Sequence, residues 1–190
     1  MNGKRLIPLI LVLLMLVPGV LQAEDRIFTF LGPAFSGGVN KITYNDWFDN
    51  ETGTKKVAGN FYGGGIQLDV FAAPLVGEFI IQYLSNSASE TEIAVNHLYF
   101  GFTGKYAYYP ISVFALAPGM GLYVETPPAS KRYDGGGGFT ASLGFIIHFT
   151  QDLRFILDAQ GRYGSFGMGE DSRKISYGIN VGLVYKVGSL

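Results

Sequence analysis

Leu153–Tyr163 reads LRFILDAQGRY. Leu153, Phe155, Leu157, Ala159, Gly161 and Tyr163 share one parity; Arg154, Ile156, Asp158, Gln160 and Arg162 share the other. A period of two is the repeat of a β-strand, in which successive side chains point to opposite faces. The odd face is apolar and ends in an aromatic ring, whereas the even face carries three charges and an amide. About 9–11 tilted strand residues suffice to cross the hydrocarbon of a bilayer, and this stretch has that length. It predicts a strand with lipid on its apolar side and a polar interior on the other.

The neighbouring segments repeat the pattern. Phe139–Phe149 alternates Phe139, Ala141, Leu143, Phe145, Ile147 and Phe149 against Thr140, Ser142, Gly144, Ile146 and His148, and Thr150-Gln151-Asp152 is a tight turn into Leu153. After a charged loop over Gly164–Lys174, Ile175–Val187 closes the chain, with Ile175, Tyr177, Ile179, Val181, Leu183 and Tyr185 on one face. Upstream, Tyr62–Val70 and Gly77–Leu84 alternate around a turn at Ala72-Ala73-Pro74; Ile93–Tyr106 and Ile111–Val124 follow around a turn at Ala107–Pro110. Arg26–Phe35 is the first strand, its facing obscured by Gly32-Pro33, and both faces of Ile111–Val124 are apolar or small. Gly37–Asn60, Ser85–Glu92, Glu125–Gly138 and Gly164–Lys174 read as polar loops.

The expected fold is therefore all-β: an eight-stranded antiparallel up-and-down transmembrane β-barrel. Long loops alternate with short turns, and strands joined by short turns must be antiparallel. An even strand number with long loops at one end and tight turns at the other is the pattern of outer-membrane barrels.

Charge and aromatic placement agree with this reading. The strand charges are Asp69, Glu78, Lys105, Arg154, Asp158, Arg162 and Lys186, and each lies opposite the apolar series. Most other charges fall in the four loops. A Lys or Arg on the lipid face near the bilayer midplane would cost about 2–4 kcal/mol. Tyr62, Tyr83, Tyr163 and Tyr177 fall at loop ends of the apolar face, and Tyr106, Phe149 and Tyr185 at turn ends. Two aromatic girdles are expected where amphipathic rings meet the headgroups. A soluble barrel of the lipocalin kind would instead carry dense Lys and Glu outside and an apolar interior.

The N-terminus adds a leader. Lys4 and Arg5 precede an apolar run, Leu6–Val17, interrupted only by Pro8 and broken after it by Pro18-Gly19, and Leu21-Gln22-Ala23 reads as the expected cleavage site. Residues 1–23 thus read as a signal peptide and 24–190 as the barrel domain. The run is shorter than the roughly 20 residues of a spanning helix. The absence of cysteine excludes a disulfide framework, a thiolate metal site and a lipoprotein anchor. The chain carries a formal net charge of −1, and loss of Lys4 and Arg5 makes the mature chain more acidic. No basic patch suggests nucleic acid. Tyr (12), Phe (15) and Gly (27) are enriched as an all-β chain requires.

On leader, strand number, alternation and a final strand reading SYGINVGLVYKV, the chain resembles the small eight-stranded outer-membrane proteins of the OmpA membrane-domain, OmpX and OmpW type. The resemblance covers Arg26 to Val187. It implies residence in the bacterial outer membrane, with long loops extracellular and both termini periplasmic. It also implies a monomer surrounded by outer-membrane lipid and handled by the barrel-assembly machinery during biogenesis. The family's final strand usually ends in an aromatic; here Tyr185 is followed by Lys186, Val187, Gly188, Ser189 and Leu190, so that signal is shifted inward.

An eight-stranded barrel is just wide enough for its own side chains. The strand charges are then expected to face the lumen, either as a packed plug of ion pairs or as the filter of a narrow channel for small or hydrophobic solutes. No catalytic residues, cofactor or metal are assigned. His97 and His148 have lumen parity and stand on separate strands, which specifies neither a metal site nor a nucleophile–base pair. A lipid-modifying barrel enzyme is the weakest reading. Gly135–Gly138 lacks the following Lys-Ser/Thr of a phosphate loop. The loops, with Trp47-Phe48 as their apolar spot, are the place for a surface partner.

Overall fold

The computed structural model describes residues 27–45, 54–88, 95–126, 135–165 and 172–189. The proposed signal peptide, its cleavage site and Trp47-Phe48 lie outside them. The strands are β1 (Phe28–Asn45), β2 (Thr54–Ala72), β3 (Leu75–Ala88), β4 (Val95–Tyr106), β5 (Tyr108–Ile111), β6 (Phe114–Thr126), β7 (Gly136–His148), β8 (Leu153–Ser165) and β9 (Arg173–Ser189). Each strand hydrogen-bonds antiparallel to its neighbours in the order β4-β3-β2-β1-β9-β8-β7-β6-β5, and β4 also pairs with β6. That last pairing closes the sheet. Eight strands form the wall, and the short β5 continues β4 beyond Ala107 as a hairpin arm against β6. Closure pairs each of the eight wall strands on both sides, whereas β5 pairs with β6 alone.

The alternation that defined the strands is what the wall uses. On β8, Arg154, Ile156, Asp158, Gln160 and Arg162 are buried, while Tyr163 is exposed. Outside, Ile66 (57% exposed), Met120 (77%) and Phe139 (67%) are among many apolar side chains with no protein cover. A water-soluble monomer does not expose so continuous an apolar surface. The two strands of uncertain facing are resolved. On β1, Phe30, Ala34, Ser36 and Asn40 point inward and Leu31, Phe35 and Val39 outward; on β6, Ala115, Ala117, Tyr123 and Glu125 point inward. The aromatic residues of both expected girdles, from Tyr62 and Tyr177 to Tyr106 and Tyr185, are on the outer face.

The loop readings need correction. Gly37–Asn60 is mostly strand: β1 and β2 pair without a break from Phe28↔Phe71 to Asn45↔Thr54. Lys41, Lys174 and Glu125 are strand residues too, as are Ser85–Ala88 and Gly136–Gly138. Above the membrane a strand needs no apolar face, so its composition looks like that of a loop, while the ladder simply continues. The turn expected at Ala107–Pro110 instead falls at Ser112-Val113, because Tyr108–Ile111 pairs back on β6. The other two turns stand where expected. Ala73-Pro74 links β2 to β3. At the next, the Thr150 hydroxyl accepts hydrogen bonds from the amides of Asp152 (3.2 Å) and Leu153 (3.0 Å), which is how a short side chain stabilises a tight reversal.

Candidate functional site: the barrel lumen

The interior is filled in layers. At the turn end lies an apolar layer of Phe30, Phe71, Val76, Ala115, Ile146 and Ile156, among others. The Arg154 guanidinium enters it in the corner of two rings that meet edge to face, with Cζ 3.7 Å from the Phe30 centroid and 3.8 Å from that of Phe71. A planar, weakly hydrated cation suits such a corner. His148 packs on Tyr109 at the same end. Lys186 sits at the rim, its side chain 28% exposed, over the Phe28 ring and 4.0 Å from Asp152.

The middle layer is ionic. Lys105 Nζ on β4 lies 2.6 Å from Glu78 Oε2 on β3 and 2.7 Å from Asp158 Oδ2 on β8. All three side chains are at most 2% exposed. Gln67 Nε2 donates to Glu78 (2.9 Å) and to both oxygens of Asp69 (3.1 Å each). The Gln67 carbonyl accepts from Asn180 (3.1 Å), and Gln82 and Ser36 complete a chain back to Asn180. These contacts join strands on opposite walls. Hydrogen bonds to the charged groups are what make their burial tolerable.

Toward the loop end, Phe61, Ile80, Leu84, Tyr99 and Tyr123 form a second apolar layer. Arg162 lies over the Tyr99 ring at 4.1 Å and donates to Gln160 (2.9 Å). Above it, Lys174 Nζ holds both oxygens of Glu125 at 2.9 and 2.7 Å. His97 Nε2 is 3.4 Å from the same carboxylate, and its ring bonds Asn86, which in turn bonds Asn40.

Room for these large groups comes from glycines on other strands of the wall. A methyl group at Gly182 would lie 2.6 Å from Gln67 Oε1, one at Gly144 2.5 Å from Asp158 Oδ1, and one at Gly178 2.5 Å from Phe61. The glycines of the polar face are thus seats for the side chains that cross the lumen.

The structure therefore places Asp69, Glu78, Lys105 and Asp158 together in one cluster. Arg154 and Arg162 lie on either side of it, held by rings, and Lys186 stands apart at the turn rim. Sequence reasoning missed the Glu125–Lys174 pair, because both residues sat in segments read as loops. For Lys174 parity offered a signal, since it shares that of Ser176 and Asn180 one residue before the predicted strand; Glu125 borders a strand whose facing the sequence left open. Among the described residues, no group of three or more His, Cys, Asp or Glu could hold a metal ion.

No family model matches the chain, and no curated protein matches it in sequence. Solved structures do resemble it. The outer membrane protein OprG of Pseudomonas aeruginosa is similar over 86% of this chain and 96% of its own, with a TM-score of 0.50 and 14% identity. The attachment invasion locus protein Ail of Yersinia pestis (TM-score 0.43, 13% identity) covers 84% of this chain and 98% of its own. Outer Membrane Protein W of E. coli (0.41, 9%) covers 82% and 97%. At these identities the likeness speaks to the fold alone. With that fold and an apolar outer face suited to lipid, the chain is a small eight-stranded integral membrane β-barrel that shares the fold of outer-membrane barrel proteins.

Proposed function

We propose that this protein is a monomeric, non-catalytic barrel whose lumen is a plug and whose contacts are made by its loop end. The observation that carries the reading is Lys105 bridging Glu78 and Asp158 across the lumen, with apolar layers on both sides. A conducting path would have to break that bridge and open both apolar layers. The long-loop end, with β1 and β2 running on past the Tyr62 girdle, is read as extracellular and the termini as periplasmic. On this reading the barrel-assembly machinery inserts the chain, and a surface partner meets the loops.

The test is single-channel conductance of the refolded mature chain (Glu24–Leu190) in a planar bilayer, with and without Arg162→Ala. A plug leaves the bilayer silent in both. Steady, charge-selective steps altered by the substitution would replace this reading with that of a narrow channel.

One observation favours a channel for hydrophobic solutes as a second reading. Pairing between β4 and β6 stops at Lys105↔Gly119, beside Pro118, which has no amide hydrogen to donate. A shallow outer groove lined by Leu75, Gly104, Tyr106, Pro118 and Met120 lies over that seam. Saturable uptake of a hydrophobic fluorophore through the refolded barrel, lost on Gly104→Phe, would support it.

A further inference from the structure

We propose that the outer face of β9, β1 and β2 just above the loop-end aromatic girdle binds the phosphate of net-anionic lipid headgroups of the surrounding leaflet. Lys41 and Arg173 are exposed and lie on the same parity as the lipid-facing Val39 and Tyr177. Thr43 pairs with Lys56 on one side and Arg173 on the other, and Lys41 pairs with Ala58 and Ile175. Neighbouring strands stand about 4.8 Å apart, so the Lys56 and Arg173 backbone positions flank Thr43 at about 10 Å from each other. Lys41 lies directly below Thr43 on this face. The exposed Lys41 and Arg173 therefore share one small area of the wall, and the register puts the Lys56 backbone position beside them.

Height selects the occupant. Val39 pairs with Tyr177, a girdle residue. Lys41 lies two residues beyond that level and Arg173 four. At about 3.4 Å per residue and about 40° of strand tilt, those steps rise about 5 and 10 Å. Girdle rings sit at the headgroups, and the long Lys and Arg stems at these positions are within reach of the lipid phosphates at that level.

Charge selects it too. Of the described strand side chains, those with the other charges, from Asp69 to Lys186, have lumen parity, so no described carboxylate on the outer face neutralises Lys41 or Arg173. Nor do the described residues put an outward cation at the turn end, where Leu75, Tyr106 and Tyr185 face out. The patch faces sideways, into the leaflet, rather than up from the barrel mouth. Membrane-apposed cations each contribute roughly a fivefold preference for anionic lipid. The inference rests on the membrane-spanning reading, but not on which leaflet the loop end meets.

The test uses the mature chain refolded in phosphatidylcholine vesicles carrying trace spin-labelled phosphatidylglycerol or spin-labelled phosphatidylcholine. The wild type should hold the anionic label several-fold more than the zwitterionic one at low salt. Lys41→Gln with Arg173→Gln should bring the ratio close to one, and Lys56→Gln should remove what remains. These are surface changes, and the heat-dependent gel mobility of the folded barrel should persist. Equal retention of both labels by inserted wild-type protein overturns the proposal, as does a preference that survives all three substitutions. Release of the anionic label by inorganic phosphate, but not by chloride at equal ionic strength, would overturn the lipid assignment in favour of a soluble-anion site. A chain that fails to insert would overturn the membrane reading with it.

Discussion

Lys105 Nζ and Asp158 Oδ2 meet at 2.7 Å although their strands, β4 and β8, do not touch in the sheet. The bond spans the lumen, tying opposite walls together. It also holds one of three acids in the middle layer near the lysine they share.

Removing that lysine should be costly. Lys105→Met leaves Glu78 and Asp158 buried without their cation, and breaking a buried pair from one side costs about 3–5 kcal/mol. Urea unfolding in lipid vesicles, followed by gel mobility, should show the loss. Because the group is buried, the difference between wild type and variant should change little between low and high salt. A loss under about 1 kcal/mol, the scale of an exposed pair, would mean the ionic layer is not a structural tie.

Gly182 and Gln67 should be energetically coupled. An added methyl at Gly182 meets Gln67 Oε1 at 2.6 Å, the same oxygen that accepts from Asn180. Gly182→Ala should destabilise the barrel by about 1–3 kcal/mol through overpacking. In a Gln67→Ala background the same change should cost less, giving a coupling of at least about 0.5 kcal/mol in a double-mutant cycle. Strict additivity would refute the seat described for Gln67.

Arg154 should not tolerate lysine. Its guanidinium sits in the corner where the Phe30 and Phe71 rings meet edge to face, and an ammonium keeps the charge but loses the broad planar contact and is more strongly hydrated. Arg154→Lys is expected to cost about 1–2 kcal/mol, and Arg154→Met to be less damaging than Lys105→Met. The reverse order would place the critical cation at the turn end.

Glu125 and Lys174 should behave as a pair. Lys174→Met alone strands the Glu125 carboxylate beside His97 and should lower stability by about 3 kcal/mol or more. Adding Glu125→Leu should recover most of it, since an apolar pair of similar volume is often neutral. The check is the midpoint of thermal unfolding in detergent micelles for the single and double variants.

The outward series from Ile66 to Leu183, the tight turns at Ala73-Pro74 and Thr150–Asp152 and the two aromatic girdles all follow from local rules. A period of two assigns each side chain to a face, and turn residues mark the reversals. The same rules broke down above the girdle. Lys41, Glu125 and Lys174 belong to strands, but their surroundings are polar on both sides, so no alternation in hydropathy marks them. The ladder that keeps them in place comes from neighbouring strands.

By itself, the sequence determined which residues face lipid and which face inward on every wall strand except β1 and β6, because that depends only on chain parity and the cost of a charge in hydrocarbon; on those two the closed wall decided. Tertiary structure alone decided who meets whom inside. Lys105 reaches Asp158, Arg154 meets both Phe30 and Phe71, and Gln67 rests over Gly182 only once eight strands close in one register. A shift of a single residue in any ladder would turn those side chains out of the lumen. Their partners are set by closure, a property of the whole wall that no single stretch of chain encodes.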